Sequence, residues 1–184
     1  MDYIARKINQ ARWTLAPYGE EGIRADALNC LRTTSDTLSF WECHGIEDVV
    51  LAVAGGLDSV QAFDLVLLRK EHFPDVRQVS TPGQTAAVDL RDRHIDLTQL
   101  NTDHIQRLAR AIADQVRAEQ GRVRRFTKSK IKSLLSRAIQ EGRVEVENLR
   151  PHVRKHFVSV EVACNRCHGT GECPSCGGSG WIVA

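Results

Sequence analysis

The chain has 184 residues, 42% of them hydrophobic and only 5% aromatic, which suits an aliphatic core in one domain of ordinary size or in two small ones. No apolar run approaches the roughly 18 residues of a membrane helix, and the opening Met1-Asp2-Tyr3-Ile4 has no signal-peptide pattern, so a cytoplasmic protein without a membrane partner is expected. Net charge is +2 but uneven: residues 1–104 balance at −6 and residues 105–184 at +8, so the halves have different partners or partner each other.

In chain order, residues 37–43 read as a short strand. Ile46, Val49, Val50 and Val53 follow helical spacing, with Glu47 and Asp48 in the first turn, where acids favour the helix dipole. Gly55-Gly56 would end that helix. Residues 62–68 read as a buried strand, and Pro82-Gly83 marks a turn. A long helix is expected from Thr102 to Gln120, with Ile105, Leu108, Ala109, Ile112 and Val116 on one face and Gly121 as its stop.

Residues 121–126 read as a basic connector. Thr127 would then cap a second helix that turns Ile131, Leu134, Leu135, Ala138 and Ile139 inward and ends at Gly142. Val158, Val160 and Val162 alternate with polar residues as a strand, to which Trp181-Ile182-Val183 could return antiparallel. Trp13 and Trp41 are expected core anchors. The expected architecture is an α/β (α+β) N-terminal domain over 1–104, a basic helical segment over 105–157 and a zinc-binding β-hairpin over 158–184.

The hairpin carries the clearest chemistry. Cys164-Asn-Arg-Cys167-His-Gly169-Thr-Gly171 is followed, after Glu172, by Cys173-Pro-Ser-Cys176-Gly-Gly178-Ser-Gly180. Two close CxxC pairs supply four thiolates, the donor set of a tetrahedral zinc site, and four sulfurs leave no open position for water. A structural Zn2+ on Cys164, Cys167, Cys173 and Cys176 is therefore expected; a pair of disulfides is the other reading, which a reducing compartment disfavours. Glu172 is not needed as a ligand, and His168 reads as a solvated side chain. Cys30 and Cys43 stand apart and read as packing residues.

This CxxCxGxG pair resembles half of the cysteine-rich module of DnaJ-type co-chaperones. Two units stand where that family usually has four, the second with Gly177 ahead of Gly178. The His-Pro-Asp triplet of a J domain is absent, since His72-Phe73-Pro74-Asp75 is not one. The finger is also similar to those of the anti-TRAP group and of late-gene antiterminators of lambda-like phages. The resemblance spans residues 164–180 and implies a finger used for binding, to protein or to transcription complexes. No family is recognised for residues 1–160 as a whole.

Between Arg117 and Arg137 lie eight Lys/Arg and a single acid, Glu119. Arg122, Arg124, Arg125, Lys128, Lys130 and Lys132 are the candidate binding residues, for nucleic acid or for an acidic protein partner. A solvated helix face, or docking of this segment on the acidic half, would give the same pattern. Phe126 is the only aromatic among them, and the cysteine spacing is not that of a Cys-Cys-His-His finger.

Residues 49–59, ending Ala54-Gly55-Gly56-Leu57-Asp58-Ser59, resemble the SGGxDS loop of PP-loop ATP pyrophosphatases. That resemblance implies ATP binding by Gly55, Gly56, Asp58 and Ser59 and adenylylation of a substrate, with Ala54 where the family has serine. The other reading is a helix stop followed by a turn into a buried strand. His94, Asp96 and His104 could form an acid–base or metal cluster, or be ordinary surface and capping residues, and Cys43-His44 could suggest a thiol nucleophile. Taken together, a non-enzymatic zinc-finger binding or regulatory protein without a small-molecule substrate is expected. The alternatives are a PP-loop-like ATP-binding enzyme and a DnaJ-like peptide-binding adaptor.

Overall fold

The computed structural model describes residues 3–13, 22–118 and 120–157, together with the backbone of residues 161–163 and 181–183. The protein is mixed α+β. Six strands, β1 (Tyr3–Ile8), β2 (Leu38–Glu42), β3 (Phe63–Arg69), β4 (Arg77–Ser80), β5 (His94–Thr98) and β6 (Val123–Phe126), form one sheet. Their order is β4-β5-β2-β1-β3-β6, and every neighbouring pair is antiparallel.

Strand side chains alternate between the two faces, so each central strand feeds two cores. From β1, Ala5 enters one core while Ile4 and Ile8 enter the other. From β3, Phe63 and Leu65 go to the first and Val66 and Leu68 to the second. The first core is closed by α1 (Ile46–Gly55), α3 (Lys128–Gln140) and the short α4 (Pro151–Arg154). The second is closed by α2 (Thr102–Arg117) through Leu108, Ala109, Ile112 and Ala113. A sheet covered on both faces explains why β3 is a nearly continuous apolar run.

The strand expected at 37–43, the helix starting at Ile46, the strand at 62–68 and both long helices are present. Thr127 caps α3, its hydroxyl accepting from the Lys130 N–H at 3.3 Å. Trp13 is buried, and Trp41 is half-buried. Two expectations are corrected. The helix from Thr102 ends at Arg117, not Gln120, because the Gly121 N–H already turns back onto the Ala118 carbonyl at 2.9 Å. Residues 121–126 are no connector: β6 occupies most of them and forms the sheet edge beside β3, pairing Phe126 with Phe63 and Val123 with Val66. The boundary expected at 104/105 falls inside α2, and the sheet runs across it.

The acidic and basic halves meet throughout. Arg107 grips Asp75 with both guanidinium nitrogens (3.0 and 2.6 Å), and Arg143 bridges Asp48 (2.8 Å) and Asp89 (3.0 Å). Arg150 reaches Asp58 (2.9 Å), while Arg137 and Lys130 share Glu47. Near the C-terminus, β7 (Glu161–Ala163) and β8 (Trp181–Val183) pair antiparallel, with Ala163 opposite Trp181. No helix among the described residues is long and apolar enough to cross a membrane.

Candidate nucleic-acid interface

The basic segment is folded into a corner where the edge strand β6 runs into α3. A cleft of about 500 Å³ opens there. Its apolar wall is Ile46 of α1, Leu67 of β3 and Phe126 of β6. Arg122, Arg124, Arg125 and Lys130 supply its positive charge and Glu47 its acid. Four of the six basic residues singled out from sequence are thus gathered around one recess. Charged side chains on an edge strand also guard its open backbone against pairing with another chain.

The six are held differently. Arg122 sets its guanidinium 5.0 Å from the Tyr3 ring centroid, and its N–H donates to the Gln115 side-chain oxygen at 3.0 Å. Arg124 donates to the carbonyl oxygens of Gly121 (3.0 Å) and Val123 (2.9 Å), so its charge meets no acid among the described residues. Arg125 lies 3.4 Å from Asp64 but is itself 65% exposed. Asp64, on the buried side of that pair, also accepts the Gln10 N–H at 3.1 Å. Lys130 is 3.5 Å from Glu47. The Arg137 hydrogen bond, with Lys130 adding to it, holds the Glu47 carboxyl below the ordinary range.

Lys128 and Lys132 make no ion pair among the described residues. They lie instead near a group that sequence reasoning missed, His156, which follows α4. Desolvation, then the charges of Lys132, Lys128 and Lys155, lower the pKa of the His156 imidazole. Nothing in linear spacing announces this neighbourhood. It exists because Leu149 and Val153 bury themselves in the same core as α3.

The other candidates resolve locally. Gly55 closes α1 and Gly56 caps it. The Gly56 and Leu57 N–H groups donate to the Val53 and Ala54 carbonyls, both at 3.2 Å, and the chain then enters β3. A phosphate loop needs free amides at a helix N-terminus, whereas this turn sits at a helix C-terminus with those amides already engaged. Asp58 is 86% exposed and bonded to Arg150.

His94 and Asp96 are neighbours on β5. The Thr81 hydroxyl donates to Asp96 at 2.7 Å and lies 2.9 Å from His94 Nδ1, and Ser39 donates to Asp96 at 2.8 Å. His104 is elsewhere, completing the N-terminal capping box of α2 with Asn101. Among the described residues no group of three or more His, Cys, Asp or Glu is placed to hold a metal ion. Cys43 is buried, and burial, then the Asp48 charge, pushes its thiol pKa up, the opposite of an activated nucleophile.

Cys164, Cys167, Cys173 and Cys176 lie outside the described residues. The paired strands β7 and β8 set Ala163 opposite Trp181, and the four cysteines lie between them in sequence. As donors, two CxxC pairs fit zinc in ligand number and softness. No protein-family model, curated protein or solved structure matches the chain.

Proposed function

We propose that this is a non-enzymatic, cytoplasmic nucleic-acid-binding protein with a structural zinc ion on Cys164, Cys167, Cys173 and Cys176. The observation that carries the reading is the division of the positive charge. Arg107, Arg137, Arg143 and Arg150 are engaged by acids of the first half. Arg122, Arg124, Lys128 and Lys132 face no acid within ion-pair distance among the described residues. They lie along the β6–α3 corner beside an apolar recess. Like charges held together repel, and phosphates relieve that repulsion while releasing their own counterions.

A bound zinc ion would cross-link the two CxxC pairs and contribute to the folding of this end of the chain. The four cysteines hold it as thiolates, which a reducing compartment keeps available.

A mobility-shift assay with short DNA and RNA, duplex and single-stranded, tests the reading. The zinc-loaded protein should shift nucleic acid at low salt, and the combined changes Arg124→Gln, Lys128→Gln and Lys132→Gln should weaken that binding by about tenfold or more. If nothing shifts at low salt, the reading is wrong and an acidic protein becomes the partner to seek.

A further inference from the structure

The β6 cleft is not isolated. A second recess, of about 270 Å³, lies between the end of β3 and α2 and shares Leu67 and Arg122 with the first. It exists because β6 is shorter than β3: pairing stops at Val66, with one further bond from the Leu67 N–H to the Arg122 carbonyl, so β6 does not extend alongside the backbone of Leu68 and Arg69. Here α2 supplies Arg107 and Arg110, one turn apart, and β3 supplies Arg69; Asp114 is the acid at this cleft. Arg107 is engaged by Asp75 and Arg69 by Glu71 (2.8 Å). Arg110 is exposed and makes no ion pair or hydrogen bond among the described residues. Two of the lining arginines share one ring: Arg122 lies 5.0 Å and Arg69 5.8 Å from the Tyr3 centroid.

We infer that the two clefts form one track for single-stranded nucleic acid, entering over Arg110 and Arg69 and passing Arg122 to reach Arg124 and Lys130. The inference rests on the nucleic-acid reading above and names the class of strand. A duplex is a convex rod that offers phosphates at its surface and keeps its bases stacked inside. It would leave both recesses and their apolar walls (Ile46, Leu67 and Phe126 in one, Leu67 and Ala111 in the other) unfilled. A single strand offers phosphates to the guanidinium groups and base faces to apolar walls, aromatic rings and arginine planes. At about 500 and 270 Å³, the first recess lies inside and the second just below the ~300–1,000 Å³ usual for small-ligand pockets, sizes that suit a flat base. Guanidinium groups already laid against Tyr3 are planar surfaces on which a base can stack.

The test uses the full-length zinc-loaded protein and fluorescein-labelled oligothymidine of about 16 nucleotides, with a duplex of equal length as comparison. Anisotropy is read across a salt series. Oligothymidine should bind about tenfold tighter than the duplex at the same salt. Arg110→Gln, a surface change that breaks no ion pair or hydrogen bond among the described residues, should weaken oligothymidine binding about three- to tenfold and reduce the salt slope by ~0.7. Equal or tighter duplex binding would overturn the inference. So would an unchanged affinity and slope in Arg110→Gln alongside weakening in Arg124→Gln; the nucleic-acid reading would then survive without the second cleft. Failure of every nucleic acid to bind at low salt would bring down both.

Discussion

At the scale of single residues, the fold depends on a few close approaches. Gly83 lies flat against the Trp41 ring. A Cβ there would overlap the ring edge and come within 2.8 Å of the His94 Cβ. His94 in turn meets Trp41 edge-on, with centroids 4.9 Å apart, so neither ring can move away freely. Gly83→Ala should therefore destabilise the protein by about 1–3 kcal/mol through overpacking, seen as a lower Tm or denaturation midpoint. An unchanged midpoint would mean that the 82–87 loop is free to lift from the sheet. The charged residues follow a different logic. Arg122 and Arg124 are held by a ring face and by carbonyl oxygens, not by carboxylates, which keeps their positive charge available to a ligand.

At the scale of elements, legibility in the sequence followed the strength of the pattern. The helix at Thr102–Arg117 has a clean apolar stripe, and β3 is a solid apolar run, so both could be read directly. The central strand β1 could not. Arg6 and Lys7 sit in it, and Arg6 is accommodated only because the Cys30 and Ser39 carbonyls accept its hydrogen bonds (3.0 and 2.5 Å) across the fold. In β6, two adjacent arginines in a four-residue strand mask the alternation that places Phe126 in the core. The basic residues of the candidate site were legible as a cluster. Their sorting into engaged and available charges was not, because the acids that engage Arg125 and Lys130 are Asp64 of β3, 61 positions from Arg125, and Glu47 of α1. Of the hairpin expected over 158–184, the described residues show only the pairing of β7 with β8. If it is a zinc unit, Cys164→Ser or Cys176→Ser should abolish stoichiometric zinc while leaving the thermal transition of the six-stranded body in place. Loss of the whole transition would instead make the hairpin part of the main core; full zinc retention would refute the ligand set.

At the scale of the whole molecule, the acidic first half and the basic second half are partners within one fold. Arg107 holds the Asp75 carboxyl down at about 2. At Asp48, burial pushes the carboxyl up, but hydrogen bonds from Arg143 and Arg93 outweigh it and the net direction is down. Glu47 is also lowered, chiefly by Arg137. Groups whose folded pKa lies below the unfolded value of ~4 contribute stability that is complete above that value and is lost as pH falls through the folded one. Tm should therefore be insensitive to these carboxylates from pH 7 to about 5 and fall steeply from about 4 towards 2. A flat profile to pH 2 would show that the ion pairs between the halves contribute nothing.

The measurement that bears most directly on the proposed binding surface is a ¹⁵N-edited NMR titration of the zinc-loaded protein with short oligothymidine at low salt. Shift changes concentrated at residues 67–69, 107–115 and 122–132, and reversed by added salt, are the expected result. The absence of any change, or changes confined to the opposite sheet edge around β4, would contradict it.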